Sequence, residues 1–256
     1  IIKKMDILYK LPFPEEICSK IFIYACKSPH SGLGVGMFEN KLQIMDLDIP
    51  DNDKDIISLD VNKQDFYTYN TIHIDIFTCF HNLTTIDMGL AHVYIIGDIN
   101  DLVSLKKLSV IDFYKKTIYG NIESFKLLPN LTKVCLSETE VSGDIIHLKF
   151  LHNLSQLAMR NTGITGDIIH LKSLHNLFVI VLSGTRVYGN ISHLKSLHNL
   201  SIIDIGDTML TGNIEDIKTI HNLTMIDIYN TDIFGDEEAF LEYRKSAGLP
   251  DCDIYF

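Results

Sequence analysis

The sequence predicts an α/β repeat fold. The expected form is a right-handed solenoid with a parallel sheet on its concave face and short 3₁₀ or helical turns, or irregular segments, on its convex face. Three observations predict it. A Gly-x-Ile opening recurs at Gly97, Gly120, Gly143, Gly166, Gly189 and Gly212, always 23 residues apart, and Gly235 starts a further partial unit. Each unit carries apolar residues at the same offsets, which in one copy are Leu171, Leu174, Leu177, Ile180, Leu182, Val187 and Ile191. Thr139, Thr162, Thr185, Thr208 and Thr231 share one offset as well. A fixed period of this length marks stacked supersecondary units, none of which can bury its apolar face alone.

Within one unit, Leu177, Ile180 and Leu182 mark a short strand, with period-two alternation at the last pair. Stacked copies make a parallel sheet with the inward pairs Ile111/Phe113, Val134/Leu136, Leu157/Met159, Ile180/Leu182, Ile203/Ile205 and Ile226/Ile228. The alternating stretch T-x-V-x-G-x-I predicts a second, shorter strand, with glycine allowing a tight turn. IIHLKSLHN is too short for a long helix and predicts one 3₁₀ or helical turn. The threonines predict an internal hydroxyl ladder on backbone groups where the chain leaves the strand. Lys116 takes their place in the unit from Gly97, so that ladder should begin one unit later. Upstream, HNLTTIDMGLAHVYII repeats the strand with two extra residues, and DIISLDVNKQDF, with Leu59 and Val61, reads as a further degenerate copy. Downstream, GDEEAFLEYRKSAGLPDCDIYF predicts a polar helix over about 236–246 and a last strand, closing an end that would otherwise invite aggregation. The expected divisions are 1–40 for an N-terminal helical segment, 41–234 for a solenoid of about seven units and 235–256 for the C-terminal cap.

The pattern LxxLxxLxxIxLxxTxVxGxI over 171–191 resembles the plant-type leucine-rich repeat, whose usual unit has Asn where this chain has Thr. The resemblance covers roughly residues 57–256 and implies the solenoid already described, without fixing a function. The N-terminal stretch LPFPEEICSKIFIYACK is different material. Pro14 can open a helix, Glu15 and Glu16 sit at its positive end, and Ile17, Ile21, Phe22, Tyr24 and Ala25 give it an apolar face. It resembles the first helix of an F-box. That resemblance implies docking to a Skp-type adaptor of a ubiquitin ligase through Ile17, Ile21 and Phe22. Residues 28–55 do not look like the later F-box helices, and the 11–27 stretch also reads as a helix capping the first repeat. Leucine-rich repeats behind truncated F-box-like starts are similar to some proteins encoded by large DNA viruses.

Composition narrows the function classes. A net charge of −11 disfavours binding to nucleic-acid backbones or to anionic membrane surfaces. No apolar run approaches the length of a membrane span, and the first residues lack the continuous apolar core of a signal peptide. Cys18, Cys26, Cys79, Cys135 and Cys252 show no CxxC spacing, so free thiols in a reducing compartment are expected. The expected location is therefore the cytoplasm, or the host cytoplasm for a viral chain. Six N-x-S/T triplets occur, most of them by-products of the repeated HNL, and give no argument for secretion. No GxSxG, HExxH, P-loop or GxGxxG motif occurs, and Gly32, Gly34 and Gly36 lack the strand–turn–helix context of a dinucleotide site. No catalytic residue, cofactor or metal is expected. His152, His175, His198 and His221 share one offset, and His147, His170 and His193 another. Stacked imidazoles can hold a transition metal or titrate near neutrality. Duplication of HNL accounts for them more simply, because Pro129-Asn130 and Lys106-Lys107 replace HN without breaking the repeat.

Candidate binding residues lie at the outward positions of the concave strands. One row reads Asp87, Asp112, Cys135, Ala158, Val181, Asp204 and Asp227, and its neighbour Thr85, Val110, Lys133, Gln156, Val179, Ile202 and Met225. A third reads Gly89, Tyr114, Ser137, Arg160, Ser183, Gly206 and Tyr229. Together they predict an apolar centre around Ala158, Val179, Val181, Ile202 and Met225, with acidic and aromatic positions at both ends. Such a patch favours a protein partner anchored by tyrosine and arginine, or a second copy of the chain. The expected site is Asp87, Asp112, Tyr114, Arg160, Val179, Val181, Ile202, Asp204, Met225, Asp227 and Tyr229.

Overall fold

Each 23-residue unit folds as two short strands joined by a turn of 3₁₀ helix. The computed structural model describes residues 58–60, 71–89 and 94–256. The N-terminal segment 1–40, with Ile17, Ile21 and Phe22 and the glycine-rich loop, lies outside the described residues. Among the described residues, nine strands form one all-parallel sheet in sequence order: Ser58–Asp60, Thr85–Asp87, Val110–Asp112, Lys133–Cys135, Gln156–Ala158, Val179–Val181, Ile202–Asp204, Met225–Asp227 and Asp253–Tyr255. Eight further strands, from Thr71–His73 to Asp232–Phe234, form a second parallel sheet, again each beside the copy from the next unit. Between the second-sheet strand and the following first-sheet strand lies a 3₁₀ turn, such as Ile168–Leu171 or Ile191–Leu194. Parallel strands joined by such crossovers wind in the right-handed sense. The first sheet lines the concave face and the 3₁₀ turns lie on the convex side.

The apolar column residues converge between the two sheets. Leu171, Leu174, Leu177, Ile180, Leu182, Val187 and Ile191 are all fully buried, as are their counterparts one unit later from Leu194 to Ile214. They belong to one continuous core running from Ile74 to the C-terminal cap. Each such side chain contributes about 1.5–3 kcal/mol when buried, but only when a neighbouring unit covers it.

Polar residues clasp the units together. The glycines that open the repeats have φ between +106° and +144°, a region open essentially to glycine. From Gly120 to Gly235 each sits against the side chain that caps the previous 3₁₀ turn, while Gly97 sits against Ile74. The Asp167 carboxylate, for example, accepts the Ile169 N–H at 2.9 Å, and a Cβ on Gly189 would lie 2.4 Å from its Oδ1. Asp98, Asn121, Asp144, Asn190 and Asn213 make the same cap. The threonine column bonds backbone groups where the chain leaves the strand, as its offset predicts. Thr139, Thr162, Thr185, Thr208 and Thr231 each donate to the carbonyl three residues earlier in their own unit, at 2.6–2.7 Å. The bond stays local because the residue just before each Thr is left-handed, with φ of 52–69° at Glu138, Asn161, Gly184, Asp207 and Asn230. Contact between units falls instead to the Asn of the HN pair. Asn176, Asn199 and Asn222 donate to the carbonyls of His152, His175 and His198.

The last unit is closed by a helix, α1 (Glu237–Ser246), and by the Asp253–Tyr255 strand, which pairs with Met225–Asp227. Asp236 caps α1 through the Ala239 N–H at 3.0 Å. Arg244, only 1 % exposed, reaches back under the last turn. Its Nη1 donates to the carbonyls of Ile220 (2.8 Å) and Lys218 (3.2 Å), and its Nη2 to those of Leu223 (2.6 Å) and Pro250 (3.2 Å). A buried guanidinium thus replaces the unit that would have followed.

Candidate functional site

The first sheet presents its outward side chains in the rows set by strand register. Val179, Ile202 and Met225 face one another across neighbouring strands, as do Val181, Asp204 and Asp227, and also Asp87, Asp112 and Cys135. The backbone ladder continues beyond the strands, from Asn161 N–H to the Ser183 carbonyl and from Asp207 N–H to that of Tyr229, which keeps the third row aligned. Val179, Val181, Ile202 and Met225 are partly exposed, and Tyr229 is 59 % exposed.

One row beside these is absent from the three read in the sequence. Thr84, Ser109, Thr132, Ser155, Ser201 and Thr224 occupy one offset at the entrance to the strands. The hydroxyls of Ser109, Thr132, Ser155 and Thr224 donate to the carbonyl of the preceding member of the row at 2.9–3.1 Å. Phe178 stands at this offset in the central unit and is 43 % exposed. A phenyl ring replaces a hydroxyl there and extends the apolar patch of Val179, Val181 and Ile202. The signal that finds it is the column itself, Thr-Ser-Thr-Ser-Phe-Ser-Thr.

The two ends of the acidic row differ. At the N-terminal end, Lys133 Nζ lies 2.7 Å from Asp112 Oδ2 and 3.7 Å from Asp87 Oδ2. Burial pulls the ammonium's pKa down, but the bond to Asp112 and the charges of both carboxylates outweigh it, and the net shift is upward. Asp112 is buried, and its Oδ1 accepts the Tyr114 N–H at 3.1 Å. Cys135, partly buried beside it, has its thiol pushed up to about 12, first by burial and then by the Asp112 charge. The Tyr114 hydroxyl donates to Glu138, which also pairs with Lys115. At the C-terminal end, Asp204 is 7 % exposed and faces Arg160 Nη1 at 3.7 Å through Oδ2. Burial raises the Asp204 pKa and the Asp227 charge adds to it, against the opposing influence of Ser183, Arg160 and the Gly206 backbone. Asp227 Oδ1 accepts the Tyr229 N–H at 3.0 Å.

Of the residues read from sequence as the site, Val179, Val181, Ile202 and Met225 form one contiguous surface, which Phe178 enlarges. Asp204, Asp227, Tyr229 and Arg160 border it. Asp87, Asp112 and Tyr114 stand apart at the other end, in an internal charge network. On the second sheet, Tyr188 is in register with Met209, and both are exposed together with Tyr94, Tyr119 and Phe234. The histidines lie on the other side of the strand entrance. His152, His175, His198 and His221 are exposed, and the rings of the last two meet edge-on at 6.0 Å. Among the described residues no group of three or more His, Cys, Asp or Glu side chains converges on a metal position. Among them also, no helix is long and apolar enough to cross a membrane.

This architecture defines a leucine-rich-repeat fold, and the solved structures it matches have that fold. The plant peptide hormone receptor RGFR1 in complex with RGF2 superimposes with a TM-score of 0.59 at 24 % identity, over 70 % of this chain and 29 % of the receptor chain. The leucine-rich-repeat ectodomain of the Arabidopsis thaliana receptor kinase GASSHO1/SCHENGEN3, in complex with CASPARIAN STRIP INTEGRITY FACTOR 2, gives 0.57 at 19 % identity, over 70 % and 22 % of the two chains. Internalin C2 from Listeria monocytogenes gives 0.52 at 20 % identity, over 72 % and 75 %. The chain thus spans less than a third of the length of these two plant receptor chains. No protein-family model matches the chain, and neither does any curated protein sequence.

Proposed function

We propose that this chain is a non-catalytic protein-recognition scaffold whose partner seats on the C-terminal half of the concave sheet, over Phe178, Val179, Val181, Ile202 and Met225. One observation carries the reading. Phe178 interrupts a row of hydroxyls that otherwise bond from unit to unit, so the fold gives up a hydrogen bond there and leaves a large ring partly in water. A residue that breaks the local rule of its own repeat without structural return marks a surface shaped by something outside the chain. Aromatic residues at the centre of an apolar patch are the usual anchors of protein interfaces. The peptide hormone receptor RGFR1 was solved in complex with RGF2, and GASSHO1/SCHENGEN3 in complex with CASPARIAN STRIP INTEGRITY FACTOR 2, which is consistent with this use of the architecture.

The test is Phe178→Ser. A serine at this offset can donate to the Ser155 carbonyl as its equivalents do, so stability should stay within about 0.5 kcal/mol of the parent. Partner capture by the full chain, quantified against the parent and against Val181→Asp, should fall at least tenfold for both variants. Unchanged capture by both would sink the concave-face reading. Two other outcomes redirect it. A dimer by light scattering that Ile202→Asp dissociates makes the partner a second copy. Stable capture of a Skp-type adaptor, lost on changing Ile17, Ile21 and Phe22, supports the ubiquitin-ligase adaptor role.

A further inference from the structure

We infer that the partner presents a basic side chain, arginine or lysine, to the Asp204–Asp227 pair, next to an apolar residue that packs on Val181 and Ile202. This rests on the reading that the concave sheet is the binding face and specifies the chemistry of what binds there.

The two halves of the acidic row differ in how their charge is met. Asp87 and Asp112 occupy adjacent strands in register, and so do Asp204 and Asp227. The first pair is bridged within the chain by Lys133, which offsets part of its charge and reaches both carboxylates. The second pair has no such residue, because Lys133 stands on the strand after Asp112 and the equivalent position on the strand after Asp227 carries Asp253. Arg160 approaches Asp204 from two units away at 3.7 Å, with half of its own side chain exposed. Among the described residues no lysine or arginine pairs with Asp227, whose carboxylate meets only the Tyr229 N–H. Beneath the surface, Ser183 and the Gly206 backbone act on the Asp204 carboxylate, but its Oδ1 and the Ser183 hydroxyl (a residue 5 % exposed) make no well-formed hydrogen bond. The outer oxygen is the one turned to Arg160 and the open sheet. Further carboxylates lie on the same half: Asp253 in register with Met225, and Asp207 in the adjoining turn.

A partner that covers Val181, Ile202 and Phe178 also removes water from Asp204 and Asp227. Two desolvated carboxylates on neighbouring strands bind weakly to anything that leaves them unpaired, and tightly to a cation brought by the partner. A guanidinium suits the place, because its planar fork can meet both carboxylates while its methylene stem lies on the valines. The same electrostatics reject an acidic segment, which supplies selectivity in addition to affinity.

The experiment pans a phage-displayed random 12-residue peptide library against the full chain, then measures recovered peptides by fluorescence anisotropy on four proteins: the parent, Val181→Asp, Asp227→Asn and the double change Asp204→Asn with Asp227→Asn. Asparagine keeps an oxygen for the Tyr229 N–H, and circular dichroism checks folding. Peptides that lose binding to Val181→Asp are the concave binders. They should carry an excess of arginine or lysine, weaken about tenfold or more on Asp227→Asn and further on the double change, and weaken as salt rises. Concave binders without a basic residue, or ones whose affinity the asparagine changes leave intact, overturn the inference while the concave-face reading stands. Peptides indifferent to Val181→Asp and to both asparagine proteins overturn the two together.

Discussion

Arg244→Met tests how the array ends. Methionine fills most of the arginine's volume but donates no hydrogen bond. Four bonds to carbonyls are lost, and the two at Ile220 and Leu223 are in fully buried surroundings, at 2.8 and 2.6 Å. Each buried carbonyl left without a donor costs about 1–3 kcal/mol, so the loss amounts to about 2–6 kcal/mol. Part is recovered because burial already opposes the charge, as the lowered pKa of Arg244 shows, and its Nε has no partner to lose. A net destabilisation of about 2–4 kcal/mol remains. In a repeat array that cost falls on the end unit, since each unit touches only its neighbours. Hydrogen–deuterium exchange read by mass spectrometry is therefore the right assay. Amides around Leu223–Phe234 should open about 30-fold more often or faster still, at about 1.4 kcal/mol per tenfold, while 145–171 stays as in the parent. A change below threefold at the end unit would refute the capping role. An equal change along the whole array would refute its locality.

Gly189→Ala should destabilise by about 2–4 kcal/mol, because its φ of +110° is strained for alanine and the new methyl displaces the Asp167 cap. Thermal denaturation checks it, and Ser196→Ala on the exposed turn should be nearly silent. Asp204→Asn should raise the melting temperature at pH 7. The folded pKa of Asp204 lies above its unfolded value, so the folded state holds its proton more tightly and stability falls as pH rises through that window. The variant's advantage should shrink when both proteins are melted below the folded pKa of Asp204; an advantage that grows on acidification would show that charge burial is not its source. Cys135, with its thiol near 12, and Cys252, near 11, should alkylate at least a hundredfold more slowly at pH 8 than an unstrained free thiol, as peptide mass spectrometry of the native protein would show.

The period, the core columns and both strands of each unit are legible in the sequence because apolar spacing alone specifies them. Leu171 to Ile191 fixes what must be buried, and burying it fixes the register of Val179 to Ile202. The hydrogen-bond scheme is less legible. The column of threonines reads as hydroxyls bonding backbone where the chain leaves the strand, and Thr185 does this, but the string does not show that Gly184 turns left-handed and brings the Leu182 carbonyl within reach. Side-chain bonds depend on a few degrees of backbone that composition does not report. The outward rows are legible as rows, but not as charge states. Nothing in the string says that Lys133 neutralises Asp112, or that Arg160 stops 3.7 Å from Asp204. Arg244 is hidden for a similar reason, since a cation in a polar helix reads as solvated until the helix docks.

A repeat protein supplies its own internal reference, because every position has six or so equivalents under nearly the same constraints. That turns exceptions into evidence, once compensated exceptions are set aside. Gly184 departs from its column of Lys, Glu, Asn, Asp and Asn, but glycine is at ease at φ +69°, so the departure is relieved locally. Lys116 departs from the threonine column; burial pulls its pKa down and the Asp112 charge of the same unit offsets that only in part. Phe178 has no such return, and the Asp204–Asp227 pair has only Arg160, at 3.7 Å from Asp204, for a cation. One leaves a ring partly in water where a hydroxyl would bond, and the other keeps two carboxylates where the neighbouring row elsewhere provides a lysine. Both exceptions fall within three consecutive units on one face, which duplication does not predict and a single bound partner does.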